Sequence, residues 1–450
     1  MRYFIECTYT YHTKLNTGIQ RVVRNIVRCA PHCGLPGEFV PVIFQRNSFF
    51  ALDGPIPYPH HADAGGPPMN GRERLRRAKL AAIAGLRGAL AKLIPFKPVI
   101  DFIYAPRTEW GLSRIVYLPV EWLQRDRLQW QGVDIAPGDV LILLDSSWNY
   151  NLWRAVDECR RRGASVVIVM YDLIPATHPQ VCVPPLVAAF HHWLKQAAPR
   201  TDAAIAISQT VANEFAHEFP KITGRQLPAS HISYFWLGSE LDGESGAGRP
   251  VPPAIADLCT SGRPTYLYVS TIEPRKNHDY ALDAFDLLWQ QGIDANFLIV
   301  GRYGWKCEDF VQRVQRHPQY GRMLHMLNGV GDSDLAWLYA HAQGLVFTSI
   351  AEGFGLPIVE GLQRGLPVFA SDIPVFREVG REGVLFVDLD KPQSLADALA
   401  SHVRQGAPRL AEPVAWLSWE QSTRQFFERI NSCLQHDQER LDAVMASAAG

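Results

Sequence analysis

Long hydrophobic runs are absent from this 450-residue sequence, since no apolar stretch approaches the roughly 20 residues needed to cross a bilayer. The first residues, MRYFIECTYTYHT, alternate in polarity as a strand does, and they lack the apolar core of a signal peptide. These two absences predict a soluble protein of the cytoplasm.

Closely spaced cysteines are also absent. The eight cysteines are scattered along the chain, with no C-x-x-C pair and no Cys/His cluster at the spacing of a zinc site. We therefore expect reduced thiols rather than a disulfide framework.

A large net charge is absent as well. The chain has 44 Lys and Arg against 45 Asp and Glu, so the molecule as a whole favours neither nucleic acid nor an anionic surface. Its 47% hydrophobic and 20% charged residues are typical of a globular protein. No nucleic-acid partner is expected, and any basic site must be local.

The sequence does contain two runs in which strand and helix signals alternate. Residues 1–242 form the first run and residues 254–412 the second. Residues 243–253 have the Gly, Pro and Ser content of a linker, and residues 413–450 are predicted to form a C-terminal helix and tail. The alternation predicts the α/β class, with parallel sheets covered by helices. Two such domains leave a cleft between them, where active sites are often found.

A basic insertion interrupts the first domain at about residues 63–100. Within it, residues 71–97 place Leu and Ala every three or four positions among many Arg and Lys. Such a helix suits the surface of an anionic membrane, and it equally suits a solvated helix packed on the protein. The first alternative would bring the protein to the inner face of the cytoplasmic membrane as a peripheral protein.

Two glutamates bracket the segment EGFGLPIVE, which follows an apolar run typical of a buried strand. We expect Glu352 on the loop after this strand and Glu360 on the first turn of the next helix, with Pro357 as its first residue. Either glutamate alone could be a solvated charge or complement a helix dipole. As a pair they flank backbone N–H groups that favour phosphate, and carboxylates accept hydrogen bonds from sugar hydroxyls. The predicted ligand is a sugar nucleotide.

Positive charge for a diphosphate occurs at the opening of the second domain. Arg275 and Lys276 follow the strand-like segment TYLYVS, and the carboxyl ends of strands in such sheets form ligand sites. Arg binds phosphate in a bidentate manner, and Lys supplies a point charge. Near the N-terminus, Gly18 lies between the first predicted strand and the first predicted helix, where a glycine allows close approach of backbone to phosphate.

With these motifs, the second domain resembles the family 4 retaining glycosyltransferases, which have the GT-B fold of two facing Rossmann-like domains with an interdomain cleft. The matching stretches are STIEPRKNH, FLIVGRYGWK, NGVGDSDLAWLYAHAQGLVFTS, EGFGLPIVEGLQRGLPVFASDIPVFREVG and VLFVDLDKPQSLADAL. The first domain resembles members that act in bacterial polysaccharide assembly through NTGIQRVVRN, YDLIPATHP, AIAISQTVANEF and ISYFWLGSEL.

The resemblance implies a role for each matching residue. Arg275 and Lys276 would bind the donor diphosphate, and Glu352 would contact the transferred sugar. Gly18 would approach the diphosphate from the first domain. Further donor contacts are implied for the ribose, the base pocket and the backbone beside sugar and phosphate: Glu360, Val330, Phe354, Gly355 and Leu356.

One position departs from the family pattern. Many members have His-Asp after the strand that corresponds to VVIVM, whereas this chain has Tyr171-Asp172. A tyrosine can donate a hydrogen bond but does not become a cation near neutral pH. Tyr171 is therefore predicted to be a neutral acceptor-side residue, with Asp172 either binding acceptor hydroxyls or serving the fold. His178, nearby in sequence, is a second acceptor-side candidate.

The predicted function is transfer of a hexose with retention of configuration, without a metal ion or other cofactor. GDP-mannose is the first choice of donor, because FLIVGRYGWK and IPVFREV resemble members that use it; dTDP-rhamnose and UDP-sugars remain alternatives. The predicted acceptor is a lipid-linked or growing oligosaccharide in bacterial surface polysaccharide or exopolysaccharide synthesis. Two other classes stay open, a sugar-nucleotide epimerase and a non-catalytic binding module.

Overall fold

The computed structural model describes residues 1–13, 16–56, 132–241 and 252–448. The basic segment at residues 71–97 and nearly all of the predicted linker lie outside these ranges. None of the helices in the described ranges is both long enough and apolar enough to cross a membrane.

Strands and helices alternate along most of the described chain. The strands are β1 (Arg2–Glu6), β2 (Glu38–Gln45), β3 (Ser48–Ala51), β4 (Val140–Leu143), β5 (Ser165–Met170), β6 (Ala203–Ala206), β7 (Ile232–Tyr234), β8 (Thr265–Val269), β9 (Asn296–Val300), β10 (Leu324–Leu327), β11 (Gly344–Phe347), β12 (Val368–Ser371) and β13 (Val384–Val387). The α-helices are α1 (Thr8–His12), α2 (Gly18–Cys29), α3 (Trp153–Arg161), α4 (Ile174–Thr177), α5 (Pro184–Ala197), α6 (Gln209–Thr223), α7 (Pro253–Thr260), α8 (His278–Gln290), α9 (Glu308–Gln315), α10 (Asp332–His341), α11 (Leu356–Gln363), α12 (Pro374–Gly380), α13 (Pro392–Arg404) and α14 (Trp419–Ala448).

The first sheet has the strand order β3-β2-β1-β4-β5-β6-β7. β1 pairs in parallel with β2 and β4, and β6 pairs in parallel with β5 and β7, whereas β2 and β3 are antiparallel. Their hairpin turns at Arg46 and Asn47, which both have positive φ, as a two-residue type I′ turn requires.

The second sheet has the order β10-β9-β8-β11-β12-β13, and its strand pairs are parallel. In chain order this is the 3-2-1-4-5-6 arrangement of a doubly wound sheet. The order reverses between β8 and β11, so the loops after these two strands lie side by side at the edge where such sheets bind ligands. The predicted α/β class is confirmed.

The chain divides into two compact units. The first comprises Met1–Val27, Gly37–Val166 and Ala188–Arg200, and the second comprises Arg28–Pro36, Val167–Val187 and Thr201–Gly450. The segment that carries Tyr171 and Asp172 therefore belongs to the same unit as Arg275. The predicted domain boundaries at 242 and 254 stay a prediction.

Two helix starts are stabilised by side-chain contacts that the sequence encodes, and the second is a full capping box. At α2 the backbone N–H of Thr17 donates to the side chain of Gln20 at 3.3 Å. At α14 the N–H of Ser418 donates to Gln421, and the N–H of Gln421 donates to the Ser418 hydroxyl. The tail helix therefore begins at Trp419, within the predicted C-terminal segment at residues 413–450. It is anchored in its unit by buried side chains, namely Trp419, Phe426, Phe427 and Ile430.

Candidate active site

The two loops at the switch point of the second sheet are joined by their backbones. The loop after β8 ends in a short 3₁₀ turn at Pro274–Lys276, and the loop after β11 runs from Thr348 to Gly355. The N–H of Ile350 donates to the carbonyl of Arg275 at 2.8 Å. Side chains from both predicted motifs are thereby brought together.

Arg275 is held between two glutamates. Its Nε lies 2.6 Å from Glu273 Oε1, and its Nη1 lies 2.6 Å from Glu352 Oε2. Nη1 also donates to the Ala351 carbonyl at 3.2 Å. With 19% of the Arg275 side chain exposed, against 2% for Glu273, the guanidinium is the more accessible member of the pair. These contacts with protein groups set the orientation of the guanidinium.

Lys276 contacts the other oxygen of the same carboxylate, because its Nζ donates to Glu352 Oε1. Burial lowers the pKa of the Lys276 ammonium, and the neighbouring Arg275 lowers it further, while Glu352 and Glu273 oppose this change. For Glu352, burial favours the neutral acid, but Arg275 and Lys276 outweigh it and lower its pKa to about 2. Glu352 is therefore ionised at neutral pH.

The predicted turn between Glu352 and the next helix is confirmed, but the position of Glu360 is corrected. Gly355 precedes α11 with φ of 103°, a conformation that favours glycine. The helix begins at Leu356, with Pro357 second rather than first. The first turn of α11 contains no acidic residue, and Glu360, only 1% exposed, lies deeper in the helix. There its Oε2 accepts the hydroxyl of Tyr339 at 2.9 Å.

Asp172 is placed with the ion cluster by a close backbone contact. A Cβ atom at Gly353 would lie 1.8 Å from the Tyr171 carbonyl oxygen, so only glycine allows this approach. Ser208, at the start of α6, donates its hydroxyl to the Gly353 carbonyl at 2.8 Å. Burial raises the pKa of Asp172, and the positive charge of Arg275 lowers it in part. The segment thus brings an aspartate within the electrostatic reach of Arg275.

The other predicted residues lie in different surroundings. Val330 is half-buried on the loop before α10, and Phe354 is buried with its ring 6.0 Å from that of Trp416. His178 is half-buried and pairs with the hydroxyl of Thr177 at 2.9 Å. Gly18 opens α2 in the first unit; a short helix, α1, precedes it, so it does not lie before the first helix as predicted.

Glu273 is a site residue that the sequence reasoning missed. It immediately precedes Pro274 and Arg275, and it is 4% exposed. The available signal was a carboxylate two residues before Arg275 in the segment EPRK. Burial raises its pKa, whereas Arg275 and Lys276 lower it.

The loop after β9 contacts the residues that follow His178. Trp305 donates its indole N–H to the carbonyl of Val181 at 2.9 Å, and the ammonium of Lys306 donates to the carbonyls of Gln180 and Cys182. On the other side, the N–H of Gly304 donates to the Ile272 carbonyl, on the loop that leads to Arg275. One short loop therefore supports both parts of the site.

The first sheet also has acidic residues at its switch point. Glu6 ends β1 and Asp145 follows β4, and both are at most 2% exposed. Burial, and then repulsion by Asp145, raise the pKa of Glu6 to about 8. Backbone N–H groups of Thr8 and Thr10 donate to Glu6 and Asp145, respectively. Burial raises the pKa of Asp145 as well, and the N–H groups that it accepts oppose this change.

Chemically, the cluster after β8 and β11 is suited to an anionic ligand. Two cations converge on one carboxylate at the ligand-binding edge of a doubly wound sheet, beside a helix start. Among the described residues, no three His, Cys, Asp or Glu side chains are grouped as metal ligands.

The sequence was compared with known families. Residues 258–412 match the family described as "Glycosyl transferases group 1". These residues form a glycosyl transferase group 1 domain. It contains Arg275, Lys276, Glu352 and Glu360, and so the whole of both predicted motifs.

The chain is also similar to curated proteins. The chain is 33% identical over 293 residues to the serotype-specific mannosyltransferase WbdA of Escherichia coli. This alignment covers 63% of this chain and 36% of that protein. It is 38% identical over 140 residues to O-antigen chain mannosyltransferase B of Escherichia coli, covering 31% and 35%, respectively. The chain therefore spans only about a third of the length of these relatives.

Solved structures share the fold over nearly the whole length. The Anabaena protein HepE, solved with UDP and glucose, aligns with a TM-score of 0.51 at 15% identity, covering 99% of this chain and 100% of that one. A glycosyltransferase from Rickettsia africae aligns with a TM-score of 0.50 at 12% identity, covering 99% and 98%. These likenesses confirm the GT-B fold class beyond the group 1 domain.

Proposed function

We propose that the protein is a retaining glycosyltransferase that transfers a mannosyl group from a nucleotide sugar. The observation that carries the proposal is the burial of Arg275 and Lys276 together on Glu352, at the switch point of the second sheet. The group 1 domain contains this cluster, and the relatives WbdA and O-antigen chain mannosyltransferase B are named as mannosyltransferases.

The cluster supports catalysis through the leaving group. The acceptor hydroxyl attacks the anomeric carbon on the face from which the nucleotide departs, through an oxocarbenium-like state. The bond from that carbon to the phosphate oxygen breaks with its electron pair, and the departing oxygen takes the acceptor proton. Arg275 and Lys276 stabilise the charge that develops there, and because Glu273 and Glu352 already orient them, little reorganisation is needed. No metal ion enters this proposal.

For the donor we propose GDP-mannose. The names of the relatives support the sugar, and the resemblance of FLIVGRYGWK and IPVFREV to users of GDP-mannose supports the base. HepE was solved with UDP, which keeps UDP-sugars in the comparison, together with dTDP-rhamnose. A panel of GDP-, UDP- and dTDP-sugars in a thermal-shift assay decides among them, because a ligand that binds only the folded state raises its melting temperature.

For the acceptor we propose a lipid-linked or growing oligosaccharide of a bacterial surface polysaccharide. O-antigen chain mannosyltransferase B, one of the relatives, is named for such a product. On the protein, Asp172 is the residue proposed to meet acceptor hydroxyls, with Tyr171 and His178 on the same segment. We place the enzyme at the cytoplasmic side of the membrane, with residues 71–97 as its proposed contact.

The activity is tested by Lys276→Ala. Lys391→Ala is the matched control, since the Lys391 side chain is 75% exposed and lies 4.0 Å from Asp388. We expect Lys276→Ala to abolish mannosyl transfer from GDP-mannose while its circular dichroism spectrum stays that of the wild type. Near-native turnover in a folded Lys276→Ala protein would refute the leaving-group assignment.

The two rival classes are separated in the same assay. An epimerase would isomerise the donor with no acceptor present, and a binding module would bind a nucleotide sugar without turnover. Transfer of radiolabelled mannose to an oligosaccharide, dependent on both substrates, is the expected result for a glycosyltransferase.

A further inference from the structure

A single buried hydroxyl joins the two loops that carry the ion cluster. Tyr268 lies on β8 and is fully buried. Its hydroxyl donates to the carbonyl of Lys276, on the loop after β8. The same oxygen accepts the backbone N–H of Thr348 at 3.1 Å, on the loop after β11. It therefore serves one backbone group on each side of the switch point.

The two backbone groups belong to the segments that set the cation–carboxylate geometry. Lys276 itself donates to Glu352, and Thr348 begins the segment that leads to Glu352. The Thr348 hydroxyl also contacts the Tyr268 oxygen, at 3.4 Å, and lies 3.3 Å from the Asn277 carbonyl. Burial raises the pKa of Tyr268, so the phenol keeps the proton that it donates.

We propose that Tyr268 is a positioning residue for donor binding, because its hydroxyl fixes the separation of the Lys276 and Glu352 loops and so presents Lys276 to the diphosphate. The inference rests on the proposed function, since it assumes that the cluster binds a nucleoside diphosphate. Tyr268 would thus contribute to the affinity for the nucleoside diphosphate from the core, without contacting the ligand.

The chain offers a matched control on the same strand. Tyr266 is two residues earlier, so it lies on the same face of β8, and it is also fully buried. Its hydroxyl pairs with Nδ1 of His402 at 2.8 Å, away from both loops. Tyr266→Phe and Tyr268→Phe each remove one buried hydroxyl from one strand, but only the second removes the link between the loops.

The experiment measures the dissociation constants of GDP, UDP and dTDP by isothermal titration calorimetry. The proteins are the wild type, Tyr268→Phe and Tyr266→Phe, and the melting temperature of each is recorded as well. We expect both variants to melt lower, and we expect only Tyr268→Phe to bind the preferred nucleotide roughly three- to tenfold more weakly, the effect of about one hydrogen bond. With substrates present, the donor KM should rise in Tyr268→Phe, with a smaller change in kcat.

A double-mutant cycle tests whether Tyr268 acts through Lys276. In a Lys276→Met background, the further change Tyr268→Phe should alter nucleotide affinity less than twofold, because coupled residues are not additive. If Tyr268→Phe is not recovered as a folded protein, Thr348→Ala is the second variant. It removes the neighbouring hydroxyl and should weaken nucleotide binding in the same direction.

The outcomes separate the inference from the proposed function. If the wild type binds GDP, UDP or dTDP and Tyr268→Phe binds the same nucleotide equally well, the positioning role is wrong and the proposed function stands. An equal loss of affinity in Tyr266→Phe would also overturn it, because a general effect of core stability would then explain both variants. If the wild type binds neither GDP, UDP nor dTDP, the proposed function fails and the inference fails with it.

Discussion

At the scale of single residues, Glu352 has two tasks that depend on one charge. It neutralises Arg275 and Lys276 in the folded protein, and it is the residue proposed to contact the transferred sugar. Removing one partner of a buried ion pair leaves the other charge uncompensated, which is more costly than removing both. The stability of the second unit should therefore report on Glu352 independently of catalysis.

We predict that Glu352→Gln lowers the free energy of unfolding by about 3 kcal/mol at pH 7. The folded-state pKa of about 2 lies below the ordinary value of 4.5, so the folded state binds fewer protons between these values. The stabilisation is complete above pH 4.5 and is lost as the pH falls toward 2. The gap between wild type and variant should narrow by about 1 kcal/mol from pH 4.5 to 3.5.

Urea unfolding over this pH range provides the measurement, and Glu382→Gln, at an exposed position, is the control. A gap of constant size down to pH 3.5 would show that Glu352 is not ionised against the two cations in the folded state.

The sequence predicted the charged residues of the site but not their pairing. Arg275, Lys276 and Glu352 stood out because charges at the carboxyl ends of buried strands are unusual and the motifs are specific. Glu352 can bind both cations only because β8 and β11 are neighbours in the sheet. The strand order determines this, and the sequence does not show it. Glu273 was missed for a similar reason, because burial of a loop carboxylate is a tertiary property.

At the scale of elements, the loop after β11 is held by contacts on both sides. The Gly353 carbonyl accepts the hydroxyl of Ser208, which also caps α6 by accepting the N–H of Val211. The same helix start donates two further backbone N–H groups to Glu378 on α12, from Gln209 and Thr210. The loop that carries Glu352 is therefore fixed relative to the start of α6, and that start is fixed to α12.

We predict that Gly353→Ala disrupts this arrangement. Its Cβ would lie 1.8 Å from the backbone oxygen of Tyr171, so one of the two segments must shift. The expected cost in unfolding free energy is about 2 kcal/mol, within the range for overpacking. Donor affinity should fall as well, because Glu352 is the adjacent residue; calorimetry with GDP measures this. Unchanged stability and affinity would mean that the two segments separate freely.

The elements that the sequence predicted well are those with two buried faces. The apolar segment at residues 296–300 predicts a strand from the sequence alone, and the structure has a fully buried strand with these bounds, Asn296–Val300. Two edge strands were missed, Ile232–Tyr234 and Leu324–Leu327, since their half-buried residues give no continuous apolar run. The hairpin Glu38–Ala51 was missed because Pro41 interrupts its first strand and its turn, Arg46-Asn47, lacks the usual glycine.

At the scale of the whole molecule, the remaining question is whether the first unit contributes to donor binding. The proposed function requires two substrates at one centre, and the resemblance assigns Gly18, in the first unit, to the diphosphate. Gly18 begins α2, is exposed, and an added Cβ would have no atom within 4 Å. A change at Gly18 therefore tests ligand contact without disturbing the packing of its own unit.

We predict that Gly18→Ala separates stability from function. Alanine is the better helix former, so unfolding free energy should stay the same or rise by up to about 1 kcal/mol. If the backbone of Gly18 approaches the diphosphate, the new methyl group should raise the donor KM about fivefold, which corresponds to roughly 1 kcal/mol of binding.

Gly132→Ala is the control, because Gly132 is in the same unit, also has open space around it, and has no predicted role. Steady-state kinetics and thermal melting of both variants provide the test. An unchanged donor KM in Gly18→Ala would leave diphosphate binding to the second unit alone.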